Sequence, residues 1–103
     1  MPKIYRDEKQ REFLNLRQKT MTVAEYEVRF TQLSHYAPMM VATENDRCRR
    51  FEEGLNIEIR SQLTMSDLRS YQDLRAAAIR AERLLKEKRF RTAQKAKRSA
   101  ASQ

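Results

Sequence analysis

Leu16-Arg17-Gln18-Lys19-Thr20-Met21-Thr22-Val23-Ala24-Glu25-Tyr26-Glu27-Val28-Arg29-Phe30-Thr31-Gln32-Leu33 is the stretch that decides how this chain folds. It reads as a tight turn feeding a short amphipathic helix. Thr22 can accept from the first turn while Glu25, three residues on, reaches back to the Thr22 N–H, a reciprocal capping box. Val23, Tyr26, Phe30 and Leu33 recur at intervals of three, four and three, so one face is apolar and the other charged. The pattern is that of a capped core helix.

Outward from this stretch, the punctuation marks further short helices. Arg6 to Arg17 is mostly charged, with Phe13, Leu14 and Leu16 gathered at its end, and reads as an exposed helix whose last turn docks on something. The capped helix is expected over 23–36, with Pro38 stopping it. Thr43 followed by Asp46 opens a helix through Glu53, which Gly54 is expected to end at the left-handed position. Its core stripe is Cys48, Phe51 and Leu55, with Arg47, Arg49, Arg50, Glu52 and Glu53 facing out. Asn56 can cap a short helix carrying Ile57, Ile59 and Leu63. Ser70 and Asp73 form a final capping box before a run through about Arg89, striped by Leu74, Ala77, Ala78, Ala81, Leu84 and Leu85. The expected fold is all-α, a compact bundle of about five short helices.

Composition narrows the class. A chain of 103 residues is one domain at most, and domains of this size bury about 60–65% of their unfolded surface. One Gly and two Pro leave little for hairpin turns, which argues against sheets. No apolar run approaches a membrane span, and no signal-peptide core opens the chain. The single Cys48 excludes an internal disulfide or a multi-cysteine metal site and fits a reduced intracellular chain.

Charge is unevenly spread. Residues 86–103 hold seven basic side chains against Glu87 alone, a net +6, whereas residues 1–85 hold 15 basic and 13 acidic. Beyond Phe90 no large apolar residue follows, so residues 90–103 are expected to be a basic extension without fixed structure. The tail is either a solvated solubility segment or an arm drawing phosphates by counterion release, through Lys88, Arg89, Arg91, Lys95, Lys97 and Arg98.

Catalytic chemistry finds no support. His35 is the one histidine, and no Ser/His/Asp or Cys/His set assembles around it. Gly54 stands alone, so there is no phosphate loop. Glu52, Glu53 and Glu58 sit among arginines on helix surfaces, where solvated pairing is the default. No active site, cofactor, metal ligand set or small-molecule substrate is expected.

What remains is binding. Met39-Met40-Val41 follows Pro38 in a polar connection; these residues either tuck under the helices or form an adaptable contact surface. Phe13, Leu14 and Leu16 either pack on their own domain or seat in a neighbour, a route to swapped or paired assemblies.

Several blocks in order carry a resemblance. They are Tyr5-Arg6-Asp7-Glu8-Lys9-Gln10-Arg11-Glu12-Phe13-Leu14-Asn15-Leu16, Thr20 to Tyr26, Phe30-Thr31-Gln32-Leu33, Tyr36-Ala37-Pro38, Arg49 to Leu55 and Glu58-Ile59-Arg60. Over residues 5–85 the chain resembles the gag polyprotein of gypsy-class LTR retrotransposons of plant type. The resemblance implies the C-terminal lobe of a capsid, similar to the Arc C-lobe, SCAN domains and retroviral capsid C-terminal domains. In that reading Gln18 to Leu33 is similar to the major homology region, with Gln18, Glu25, Tyr26, Arg29, Phe30 and Leu33 holding the lobe together. The helix 44–53 would match the pairing helix of retroviral lobes. The family usually has Gly where Lys19 stands, so a positive backbone angle there would be strained. The amino-terminal lobe and the zinc knuckle are missing, so Met1 is expected to open a fragment of a longer gag or a shortened gene product.

The resemblance implies a leading helix and turn over 1–21, a capsid lobe over 22–89 and the basic tail over 90–103. The implied function is assembly into virus-like particles in the cytoplasm. Self-association would use surfaces including Phe13, Leu14, Met39, Met40, Arg47 and Arg50, with RNA as a further partner through the tail. The alternatives are a helical nucleic-acid-binding protein using arginine-rich faces, or a domesticated gag adaptor or assembly inhibitor.

Overall fold

The computed structural model describes residues 2–64 and 69–101. Among them are α1 (Lys3–Leu14), α2 (Val23–Ser34), a 3-10 turn (Pro38–Val41), α3 (Glu44–Gly54), α4 (Ile57–Arg60) and α5 (Tyr71–Ala101). No strand occurs among the described residues, and the all-α bundle is the fold expected.

Local chemistry sets most boundaries. The Thr22 Oγ1 accepts from Glu25 N at 3.1 Å, Thr43 Oγ1 from Asp46 N at 3.0 Å and Ser70 Oγ from Asp73 N at 3.1 Å, each satisfying one orphan amide. α1 lies three residues earlier than expected because Asn15 closes it, its Nδ2 donating to Arg11 O at 3.0 Å. α2 stops at Ser34, whose hydroxyl donates to Thr31 O at 2.8 Å. His35 caps that end and is exposed.

An aromatic cluster forms the core. Phe30 and Phe51 meet edge to face at 5.4 Å between centroids, and Tyr26 lies 5.0 Å from Phe51. Phe13 of α1 reaches Phe30 at 5.2 Å, and Tyr71 of α5 reaches Phe51 at 5.3 Å. One cluster therefore joins α1, α2, α3 and α5. Leu74, Ala78 and Ala81 bury the first half of α5 against it, the alanines allowing close approach.

Four expectations change. Gly54 has no positive φ, so it does not end α3 in the left-handed region. It is Gly because space is absent: a Cβ there would collide with Tyr26 Oη and lie 2.7 Å from Cζ. Asn56 makes no cap bond of its own; its Nδ2 donates instead to Lys19 O at 2.8 Å. Leu84 leaves the expected stripe and is exposed, because it falls off the face that Leu74, Ala78, Ala81 and Leu85 turn to the core.

The fourth is the tail. α5 runs unbroken through Ala101, where a structureless extension was expected from residue 90; residues 102 and 103 lie outside the described residues. Nine of residues 91–101 are Ala, Gln, Lys or Arg, all good helix formers, with Thr92 and Ser99 the others and neither Gly nor Pro among them, and cations near a helix C-terminus suit its dipole. Lack of apolar surface prevents burial there but not helix. The result is a rod projecting from the bundle, and the long dimension of the molecule is 64 Å.

Candidate assembly surface and its supporting network

The turn before α2 is tied down through Gln18, which is 2% exposed. Its backbone N–H donates to Gly54 O at 2.8 Å and its Nε2 to Met21 O at 3.0 Å. Its Oε1 accepts from Asn56 N at 3.0 Å. One side chain thus bridges the turn and the α3–α4 junction. Lys19, next to it, sits at φ 51°, so the left-handed geometry suited to Gly is kept by a residue that carries a Cβ.

Tyr26, Phe30 and Leu33 are buried in the core. The Tyr26 hydroxyl donates to Phe51 O at 3.0 Å, and burial drives its pKa far above the ordinary phenol value. Arg29 is on the surface, its Nη2 2.8 Å from Glu12 Oε2, pinning α1 to α2. Glu25 does not reach the Thr22 N–H; its Oε1 accepts from the Thr22 hydroxyl at 3.2 Å. The next amide, Val23 N, donates to Glu82 Oε2 of α5 at 2.8 Å. Glu44 Oε1 accepts from Tyr71 N at 2.7 Å in the same manner. In each case a carboxylate of one helix caps the first turn of another: Glu82 of α5 caps α2, and Glu44 of α3 caps α5.

Of the residues expected to self-associate, Phe13 is removed by the structure. It is 4% exposed, packed on Phe30 within its own chain, and unavailable to a neighbour. Leu14 beside it is 41% exposed. Met39 is 81% exposed on the 3-10 turn, while Met40 and Val41 are half-buried against the core. Arg47 lays its guanidinium over the Tyr71 ring at 4.9 Å, and Arg50 over Phe13 at 5.7 Å. Between the turn and α3 lies a cleft of about 390 Å³ lined by Met39, Met40, Asp46, Arg49, Arg50 and Glu53. Asp46 pairs with Arg49 at 2.8 Å, and the Thr43 hydroxyl, followed by Arg49, holds its carboxyl below the usual range. The patch is an apolar tip ringed by both signs of charge.

The basic candidates all lie on α5. Arg89 pairs with Glu58 where the helix leaves the bundle, and Lys88, Arg91, Lys95, Lys97 and Arg98 are exposed beyond it. Among the described residues no three His, Cys, Asp or Glu side chains gather as a metal site would need, and no helix is long and apolar enough to cross a membrane. Cys48 is buried, and desolvation raises its thiol pKa, which makes it inert packing.

Residues 9–85 match the family of the PEG10/RTL1 C-terminal capsid-like domain. The chain belongs to that family. A search of curated proteins and one of solved structures gave no match. As a PEG10/RTL1-type capsid-like domain the chain is a gag-derived capsid lobe, of a structural and non-catalytic class. The matched residues include all of α2, α3 and α4, the Gln18 turn and the buried half of α5, while the projecting half lies outside them.

Sequence reasoning did not find Glu44, Glu82, the bonds of Asn56 to the Gln18–Lys19 turn or the reason for Gly54. Each acts on a residue far along the chain, and no local spacing signals such a pairing.

Proposed function

We propose that this chain is an assembly module of a gypsy-class gag capsid of plant type, which self-associates to build virus-like particles. The observation that carries the reading is Met39, 81% exposed at the mouth of a cleft lined by Asp46, Arg49, Arg50 and Glu53. A large apolar side chain among two acids and two bases suits a two-fold interface, in which each patch meets its own copy with arginines opposite carboxylates. Leu14 and Arg47 are secondary contacts in this reading. A patch this small gives a modest interface, with dissociation constants around the micromolar range.

Sedimentation velocity from about 1 to several hundred micromolar tests it. A concentration-dependent shift toward dimer is expected, reduced by Met39→Asp with unchanged far-UV circular dichroism. A strict monomer throughout, or dimers indifferent to Met39→Asp, would overturn the assigned surface.

A further inference from the structure

Three polar ties ring a cleft of about 530 Å³ between the Gln18–Thr22 turn, α4 and α5. Asn56 Nδ2, donating to Lys19 O at 2.8 Å, joins the start of α4 to the turn, and the Glu58–Arg89 pair joins α4 to α5. Glu82 Oε2, accepting from Val23 N at 2.8 Å, joins α5 back to the helix that the turn feeds. The floor is apolar, with Ile59 buried and Met21 and Leu85 half-buried. Ile57 stands on the rim 71% exposed. Both carboxylates of the walls are occupied, Glu58 by Arg89 and Glu82 by the Val23 amide. Lys19 and Lys86 are exposed on two of the walls, and among the described residues neither ammonium has a partner. The cleft therefore sets apolar surface between two uncompensated positive charges.

We infer that this cleft is a docking site for a peptide segment of another protein, in which one bulky apolar side chain is flanked by carboxylates. It is independent of the assembly reading, since no residue lines both this cleft and the Met39 patch. The volume lies in the range of ligand pockets, about 300–1,000 Å³, and takes one large side chain with the backbone on either side. A cleft with low-dielectric walls focuses the field of the two ammoniums on its occupant, which selects an anion. Charge alone does not describe that occupant, because the floor and Ile57 call for apolar cover. No aromatic ring lines the cleft, so a nucleic-acid base finds no stacking partner there. The three ties hold the walls in place, so little order is lost when the site fills. Lys19 also gains a reason: its φ of 51° favours Gly, yet Gly would remove one of the two charges.

The test is fluorescence anisotropy of the full chain with a labelled peptide, Gly-Ser-Asp-Asp-Phe-Asp-Asp-Ser-Gly. Saturable binding in the micromolar range is expected, about tenfold weaker when Ser replaces Phe or Asn replaces every Asp. Lys19→Gly/Lys86→Gln is expected to bind about tenfold more weakly while its urea midpoint holds or rises, since Gly suits that backbone angle. Arg6→Gln/Arg83→Gln, an equal charge loss away from the cleft, is expected to stay within about twofold of wild type. Equal weakening in the two variants, or no saturation below about 1 mM, overturns the assignment. So do amide shifts on titration that avoid residues 18–22, 56–59 and 82–89. Displacement of the label by mixed-sequence RNA at lower concentration than by unlabelled peptide overturns it in favour of nucleic acid. Cleft amides that shift with protein concentration alone overturn it in favour of a second copy.

Discussion

Gln18→Leu tests the reading that one buried amide holds the lobe together. Leucine roughly keeps the volume but removes both polar ends. Asn56 N–H loses the acceptor it meets at 3.0 Å, and Met21 C=O loses the donor at 3.0 Å. Both groups are half-buried beside a cleft of about 530 Å³, so water there can replace only part of what each loses. Each orphaned group costs about 1–3 kcal/mol, and the added apolar burial returns about 1 kcal/mol. The backbone bond from Gln18 N to Gly54 O survives the change. A net loss of about 3 kcal/mol follows, a large share of the roughly 5–10 kcal/mol that a domain of this size holds.

Urea unfolding followed by tyrosine emission is the assay, since the chain has no Trp and Tyr26 and Tyr71 report on the core rather than on the projecting helix. The midpoint should fall with an unchanged slope. Arg17→Leu, next door and exposed, should shift stability by less than about 0.5 kcal/mol. If Gln18→Leu costs no more than Arg17→Leu, the amide is not the tie we describe.

Gly54→Ala should cost about 2–3 kcal/mol, since the new methyl meets the buried Tyr26 ring rather than a mobile chain end. Tyr26→Phe in the same background should recover part of that loss, and additive losses in a double-mutant cycle would refute the clash. At alkaline pH the Tyr71 phenol, raised to about 12 first by burial and then by Glu27, keeps its proton while its unfolded counterpart loses it near 10. Stability is therefore complete below pH 10 and falls as pH rises toward 12, with a slope approaching about 1.4 kcal/mol per pH unit per buried phenol. The check is urea unfolding at stepped pH: Tyr71→Phe should shallow the fall, and an identical profile would count against it.

The sequence was most legible where a signal and its target lie within four residues. Thr22, Thr43 and Ser70 each cap the amide three positions on, and Val23, Tyr26, Phe30 and Leu33 share the buried face that their spacing requires. Legibility fails with distance along the chain. Glu82 carries no signal of its role, because nothing local reveals the Val23 amide 59 residues away. Gly54 reads as a helix stop because glycine usually marks one, whereas Tyr26 is what forbids a side chain. The tail misleads for another reason: low hydropathy argues against a packed segment, yet helix needs only backbone bonds and permissive side chains.

These long-range contacts also decide how far the two proposed surfaces are linked. α5 is anchored three ways at its root: Leu74 and Ala78 in the core, Tyr71 N on Glu44, and Glu82 on Val23 N. Glu44 opens α3, the helix that carries Asp46, Arg49, Arg50 and Glu53. The direction in which the basic rod leaves the bundle is therefore set by the same helix that frames the Met39 patch. No Gly or Pro interrupts α5 between Tyr71 and Ala101 to serve as a hinge. Pairing through α3 would then fix the relative directions of two rods and, because α5 also walls the cleft, would couple the cleft geometrically to which copies pair. Loss of the Glu44 cap should loosen that coupling before it unfolds the lobe, because one N-terminal contact is removed while the aromatic cluster stays intact.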